Sequence, residues 1–151
     1  MCRRRPCWPT PAEARRLIAA GYGDRMMLDW WEREGYGDDE DRADILLLCP
    51  AAVGHEGRQA PHDALGRCTF LTADELCEIH QMKPLEGAEA MCTGPNNGLE
   101  LHRRLADTWD TEEGEDVVDL WQRTTAKRRA RPAGPAQSAT DVQAPDEPRA
   151  P

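Results

Sequence analysis

The chain reads as a small α+β protein: an irregular, metal-stabilised domain with few short strands, several helices and a C-terminal helical hairpin. Three observations predict this. A helix-start signature stands at Thr10 to Glu13, an unbroken apolar run, Ile45-Leu46-Leu47-Leu48, stops at Cys49-Pro50, and two amphipathic segments follow one another between residues 99 and 130. Composition accounts for the metal. Only 39% of 151 residues are hydrophobic and 31% are charged, so the core is small and a bound ion is expected to supplement packing.

The first helix is announced by Thr10 as N-cap, Pro11 at the first helical position and Glu13 placed to close a capping box. Ala14, Leu17 and Ile18 form its apolar stripe, and Gly21 supplies a left-handed stop. Cys7 lies just before this helix, where the positive end of the dipole favours a thiolate. A second helix is expected over Asp24 to Glu34, with Met27, Trp30 and Trp31 on one side and Gly35 ending it; that stripe reads as core ahead of a binding face. Gly35 to Arg42 is acidic but lacks the spacing of a calcium loop, so it reads as solvated.

Ile45 to Leu48 reads as a buried strand whose pairing Pro50 ends. Cys49 then sits at a strand end, either as a ligand or as an inert buried thiol. Ala51 to Gly66 is a loop. Its His55-Glu56 begins a zincin H-E-x-x-H, but Gln59 stands where the second histidine is required, which excludes that protease chemistry. Beyond the turn cluster Pro95 to Gly98, Leu101, Leu105 and Trp109 mark one helix. Asp110 or Thr111 then caps another, with Glu112, Glu113 and Glu115 in its first turns and Val117, Val118, Leu120 and Trp121 packing. Lys127, Arg128, Arg129 and Arg131 answer the negative end of that helix, and the Pro- and Ala-rich stretch 132–151 is expected to be disordered. Residues 1–94 therefore form a cysteine-bearing domain, 95–131 a helical hairpin packed on it, and 132–151 a tail.

No apolar leader follows Arg3-Arg4-Arg5 and no run reaches the length of a membrane span, so a cytoplasmic protein is expected. Thiols stay reduced there, which favours ligands over three disulfides for the six cysteines. A net charge of −9 weighs against nucleic acid as a partner; a protein partner stays open. No phosphate loop, serine elbow or dinucleotide fingerprint occurs, and the Cys77 and His80 pair has no orienting group, so no catalytic residue is assigned and the question of an enzyme is left open.

Three of the cysteines lie between residues 68 and 92. Cys68-Thr69-Phe70-Leu71 leads through a polar turn, Thr72 to Glu75, into Cys77-Glu78-Ile79-His80 and then Lys83-Pro84. This pattern resembles the core of the YkgJ-type cysteine-cluster family, the zinc- or iron-chelating domain whose form is C-x-F-L, C-x-I-Y and R-P-x-x-C, with a cysteine-rich stretch nearer the N-terminus. RPCWPTPAEA, GYGDRMMLDWW and ILLLCPA also resemble a subgroup of that family. The chain departs from the pattern in three places. His80 takes the place of the tyrosine, Gly87 stands where a cysteine is expected, and only Cys2 and Cys7 remain of the N-terminal cluster, as though it were shortened or the chain began inside it.

The resemblance implies a zinc ion or an iron–sulfur cluster and points first to Cys68 and Cys77. The position of Cys7 before a capped helix and of Cys49 at a strand end completes a four-thiolate set, with Cys2, Cys92 and His80 in reserve. The expected function is metal binding in a structural or metal- or cluster-carrying role. An iron–sulfur oxidoreductase, an accessory to a protein-modifying enzyme, and an interaction module with inert cysteines are the alternatives.

Overall fold

The fold is described from a computed structural model, which covers residues 2–32, 44–59, 65–89 and 97–130. Helix α1, Pro11–Ala19, starts as its sequence predicts. Glu13 N–H donates to Thr10 Oγ1 at 3.3 Å and Thr10 N–H donates to Glu13 Oε2 at 2.9 Å, a closed capping box. Gly21, at φ +91°, turns the chain out of the helix while Tyr22 N–H still reaches back to Leu17 O at 3.0 Å.

The helix expected over Asp24 to Glu34 does not form. A 3-10 turn, Gly23–Arg25, leads into strand β1, Met26–Trp31, which pairs antiparallel with β2, Ile45–Pro50, from Met26 opposite Pro50 to Trp31 opposite Ile45. The run Met26-Met27-Leu28-Asp29-Trp30-Trp31 satisfies either period. The apolar run at Ile45, a ladder partner of equal length, decides for the strand, and the two tryptophans suit a pleated surface. β2 itself follows expectation, with Leu47, Leu48 and Cys49 each fully buried. The acidic loop 35–42, His62, Cys92 and the tail 132–151 lie outside the described residues.

After the short helix α2, Leu85–Glu89, the predicted hairpin is present as α3, Asn97–Trp109, and α4, Glu112–Ala130. Thr111 is the cap, its Oγ1 accepting from Gly114 N–H at 3.2 Å. Gly114 is obligatory for this turn, since a Cβ there would stand 2.3 Å from Trp109 O. Both helices pack on β2, and α4 also packs on α1. Leu105, Trp109, Val117 and Trp121 therefore belong to the same core as Leu17, Met27, Leu48 and Phe70.

Two indole N–H groups fix the hairpin to the N-terminal half. Trp109 Nε1 donates to Pro9 O at 2.8 Å and Trp121 Nε1 to Gly23 O at 2.6 Å, so each buried ring brings its polar atom to a partner. The described residues thus make a small α+β fold of four helices and a two-stranded antiparallel sheet. None of the described helices is long and apolar enough to cross a membrane.

Candidate metal centre

Backbone pairing beyond β2 brings the cysteines together. Thr69 N–H donates to Ala51 O and Val53 N–H to Arg67 O, so the chain around Cys68 lies alongside the extension of β2. Its other edge takes the N-terminal segment: Cys68 N–H donates to Cys2 O at 2.8 Å and Gly66 N–H to Arg4 O at 2.7 Å. From Cys68 the chain enters a small hairpin, with Leu71 bridged to Cys77 and Glu78 N–H donating to Phe70 O. Thr72 Oγ1 accepts from Leu76 N–H at 3.1 Å, and Glu75 takes a left-handed φ of +63° in the polar turn that the sequence places between the two thiols. Phe70, 1% exposed, drives the hairpin into the core.

The result is a cavity of about 300 Å³ lined by four thiols, Cys2, Cys7, Cys68 and Cys77. The sulfurs of Cys2 and Cys7 lie 3.9 Å apart. A tetrahedral zinc with Zn–S bonds of about 2.3 Å needs sulfur-to-sulfur edges of about 3.8 Å, so this pair is spaced as two ligands would be. The neighbouring thiols of Cys68 and Cys7 favour the Cys2 thiolate and hold its pKa well below the usual thiol range, against the opposing effect of burial. Cys7 and Cys68 shift the opposite way, both pushed up, first by the neighbouring Cys2 sulfur and then by burial. The Cys77 thiol is also raised, chiefly by burial, with the Ile79 N–H and the Lys83 charge partly opposing.

The other sequence candidates fall differently. Cys49 is 0% exposed in the hydrophobic core and does not line the cavity; burial, first of all, raises its thiol well above the usual range. The strand-end geometry expected to present it to a site instead points it into packing, and Cys2, a reserve, stands at the cavity in its place. His80 is exposed on the cavity wall. Gly87 borders Cys7 directly, since a Cβ there would lie 3.3 Å from Cys7 Sγ.

Two residues that sequence reading passes over hold the centre together. Glu86, 1% exposed, is the buried charged residue among those described. Its Oε2 accepts from Trp8 N–H at 2.6 Å, and its Oε1 meets His102 Nε2 at 2.7 Å and the Arg5 guanidinium. Burial works to raise its pKa; the His102 hydrogen bond, the Arg5 charge and the Trp8 N–H outweigh it and hold the carboxyl below the usual Glu range. The Trp8 ring completes the joint, 4.9 Å from His102 and 5.8 Å from Trp31, with Nε1 donating to Asp29 Oδ2 at 2.9 Å. The segment carrying Cys7 is thereby fastened to α2, α3 and β1.

Arg25 does the same for the Cys68 to Cys77 hairpin. Its two terminal nitrogens donate to Glu78 at 2.7 and 2.8 Å, one of them also reaches Thr69 O, and the guanidinium lies 4.0 Å over the Phe70 ring. Glu86 gave no sequence signal, because a glutamate between Leu85 and Gly87 looks solvated. Arg25 had one in retrospect: a cation just before an apolar run, with Glu78 the acidic residue beside Cys77.

The donor set fits a thiophilic ion or an iron–sulfur cluster, which take thiolates. Among the described residues no group of three or more Cys, His, Asp or Glu is already converged as a metal cage. Of the four thiols, those of Cys2 and Cys7 are in direct contact, at 3.9 Å. No protein-family model, curated protein or solved structure matches the chain.

Proposed function

We propose that this protein binds a metal through Cys2, Cys7, Cys68 and Cys77, as a cysteine-cluster protein of the zinc- or iron-chelating kind. The observation that carries the reading is one cavity lined by four thiols drawn from two separate stretches of chain, two of them at ligand spacing. Such a centre ties the N-terminal segment to the 68–77 hairpin, a structural role for zinc in a domain with a small core. An iron–sulfur cluster held there would supply an electron-transfer centre. In either case the protein's own contribution is positional: Glu86 and Arg25 hold the two thiol-bearing segments, and Cys7, Cys68 and Cys77 must release protons for the ligand set to form.

Elemental analysis with a visible spectrum, on protein purified without air, tests this. About one zinc per chain without colour supports the structural role, and iron with acid-labile sulfide and a broad visible band supports a cluster. Folded protein with neither metal refutes the reading and leaves the helical hairpin as the functional surface of an interaction module.

A further inference from the structure

The sulfurs of Cys2 and Cys7 lie 3.9 Å apart, across a turn over residues 2–4. A disulfide has an S–S length of about 2.05 Å, so an approach of about 1.9 Å would join them. The backbone around both residues is held. Cys2 O accepts from Cys68 N–H at 2.8 Å, Arg4 O from Gly66 N–H at 2.7 Å, and Glu86 Oε2 from Trp8 N–H at 2.6 Å. The fold thus keeps two groups that can react with each other in contact, which makes a reaction between them effectively unimolecular.

The two thiols differ in access. Cys7 is buried, 4% exposed, whereas Cys2 is partly exposed on the wall of the cavity. A reagent that enters therefore reaches Cys2 first, and Cys7 is left to react with what Cys2 has taken up. The cavity, at about 300 Å³, stands at the lower end of the range for small-molecule sites. Phe70, Leu76 and Pro84 give it an apolar wall, which suits a small, uncharged reagent.

We infer that Cys2 and Cys7 form a thiol–disulfide exchange site that takes a low-molecular-weight disulfide as its oxidant, with Cys2 attacking and Cys7 resolving. The Cys2 thiolate attacks one sulfur of the small disulfide, whose S–S bond breaks and releases one thiol. Cys7 gives its proton to solvent and attacks the Cys2 sulfur, and the second thiol leaves with the electron pair of the mixed disulfide. Two cysteine thiols are oxidised to one disulfide, and one external disulfide is reduced to two thiols. The inference rests on the Cys2 and Cys7 contact and on access, and not on a bound metal. It also sets a competition, because sulfurs joined to each other are no longer the thiolates that a metal takes.

The test uses the full chain, purified without air and reduced, and adds excess 2-hydroxyethyl disulfide. Free thiols are alkylated at intervals and bonded peptides are mapped by mass spectrometry. The first bond to form should join Cys2 to Cys7, and excess dithiothreitol should restore both thiols. Over the time in which the parent loses two thiols to this bond, Cys7→Ser should lose one and keep half of the reagent on Cys2. Cys2→Ser should leave the buried Cys7 reduced, and Cys77→Ser should form the bond as the parent does. A first bond between any other pair, Cys2 with Cys68 included, overturns the inference, as does a mixed disulfide on Cys2 that persists in the parent while Cys7 stays free. Repeating the experiment after chelation keeps the two readings apart. The same bond formed faster supports both this site and a metal on these thiols, and the same bond at an unchanged rate supports this site and counts against the metal.

Discussion

Glu86→Gln is expected to lower the folding free energy by about 3 kcal/mol. The carboxylate serves three donors, the Trp8 N–H on one oxygen and His102 and Arg5 on the other. A glutamine has one acceptor, so whichever way its amide sits, the NH2 faces a donor. If the oxygen faces Trp8, two charge-assisted contacts are lost at about 1.5–3 kcal/mol each, partly recovered as the half-buried Arg5 and His102 turn to water. If it faces Arg5, the buried Trp8 N–H is stranded at about 1–3 kcal/mol. Urea unfolding with chelator and reductant present measures the difference without a contribution from metal. Arg5→Met should cost less than Glu86→Gln, because a partner that reaches solvent loses less. A Glu86→Gln protein within about 0.5 kcal/mol of the parent, the range of ordinary surface substitutions, would show that the carboxylate is not the joint described here.

The same residue sets an acid limit. Its folded pKa is depressed, so its contribution is fully present above the usual Glu range, near 4.5, and is lost as pH falls below that through the lower folded value; the stability difference between parent and Glu86→Gln should shrink over that interval. Cys68→Ala should abolish metal binding, whereas Cys49→Ala should leave the metal stoichiometry intact and cost only a core-packing loss, about 1 kcal/mol; equal metal loss from both would return Cys49 to the ligand set. Arg25→Lys keeps the charge but not the fork, so amide exchange over residues 68–78 should accelerate while that of α1 and α4 does not. Gly114→Ala, which in an ordinary helix interior gains about 0.5–1 kcal/mol, should here destabilise by about 1–3 kcal/mol from the clash with Trp109 O; a raised melting temperature would contradict that packing.

Where local chemistry suffices, the sequence was legible. The Thr10 capping box, the turn between Cys68 and Cys77, the strand at Ile45 and the hairpin capped at Thr111 each depend on residues within a few positions of one another. β1 was not legible, because Met26 to Trp31 matches two periods and the choice rests with a partner strand more than a dozen residues away. The place of Cys49, in the core and away from the cavity lining, was open for a related reason. A cysteine closing an apolar run has the same local pattern whether it faces a site or the core. The importance of Cys2, of Glu86 and of Arg25 arises from pairings across 66, 78 and 53 positions, which no window of sequence contains.

The fastening of the N-terminal segment has a bearing on how the chain matures. Trp8 and Arg5 are synthesised before Glu86 and His102, which hold them and come some eighty to a hundred residues later. At about 5–20 residues per second, that delay is roughly 5–20 s, during which Cys2 and Cys7 have no structure around them. Two neighbouring thiols exposed for that long can meet an ion or an oxidant before the thiols of the 68–77 hairpin are in place. On the metal-binding reading proposed above, the order in which ion and chain meet matters as much as the finished cavity.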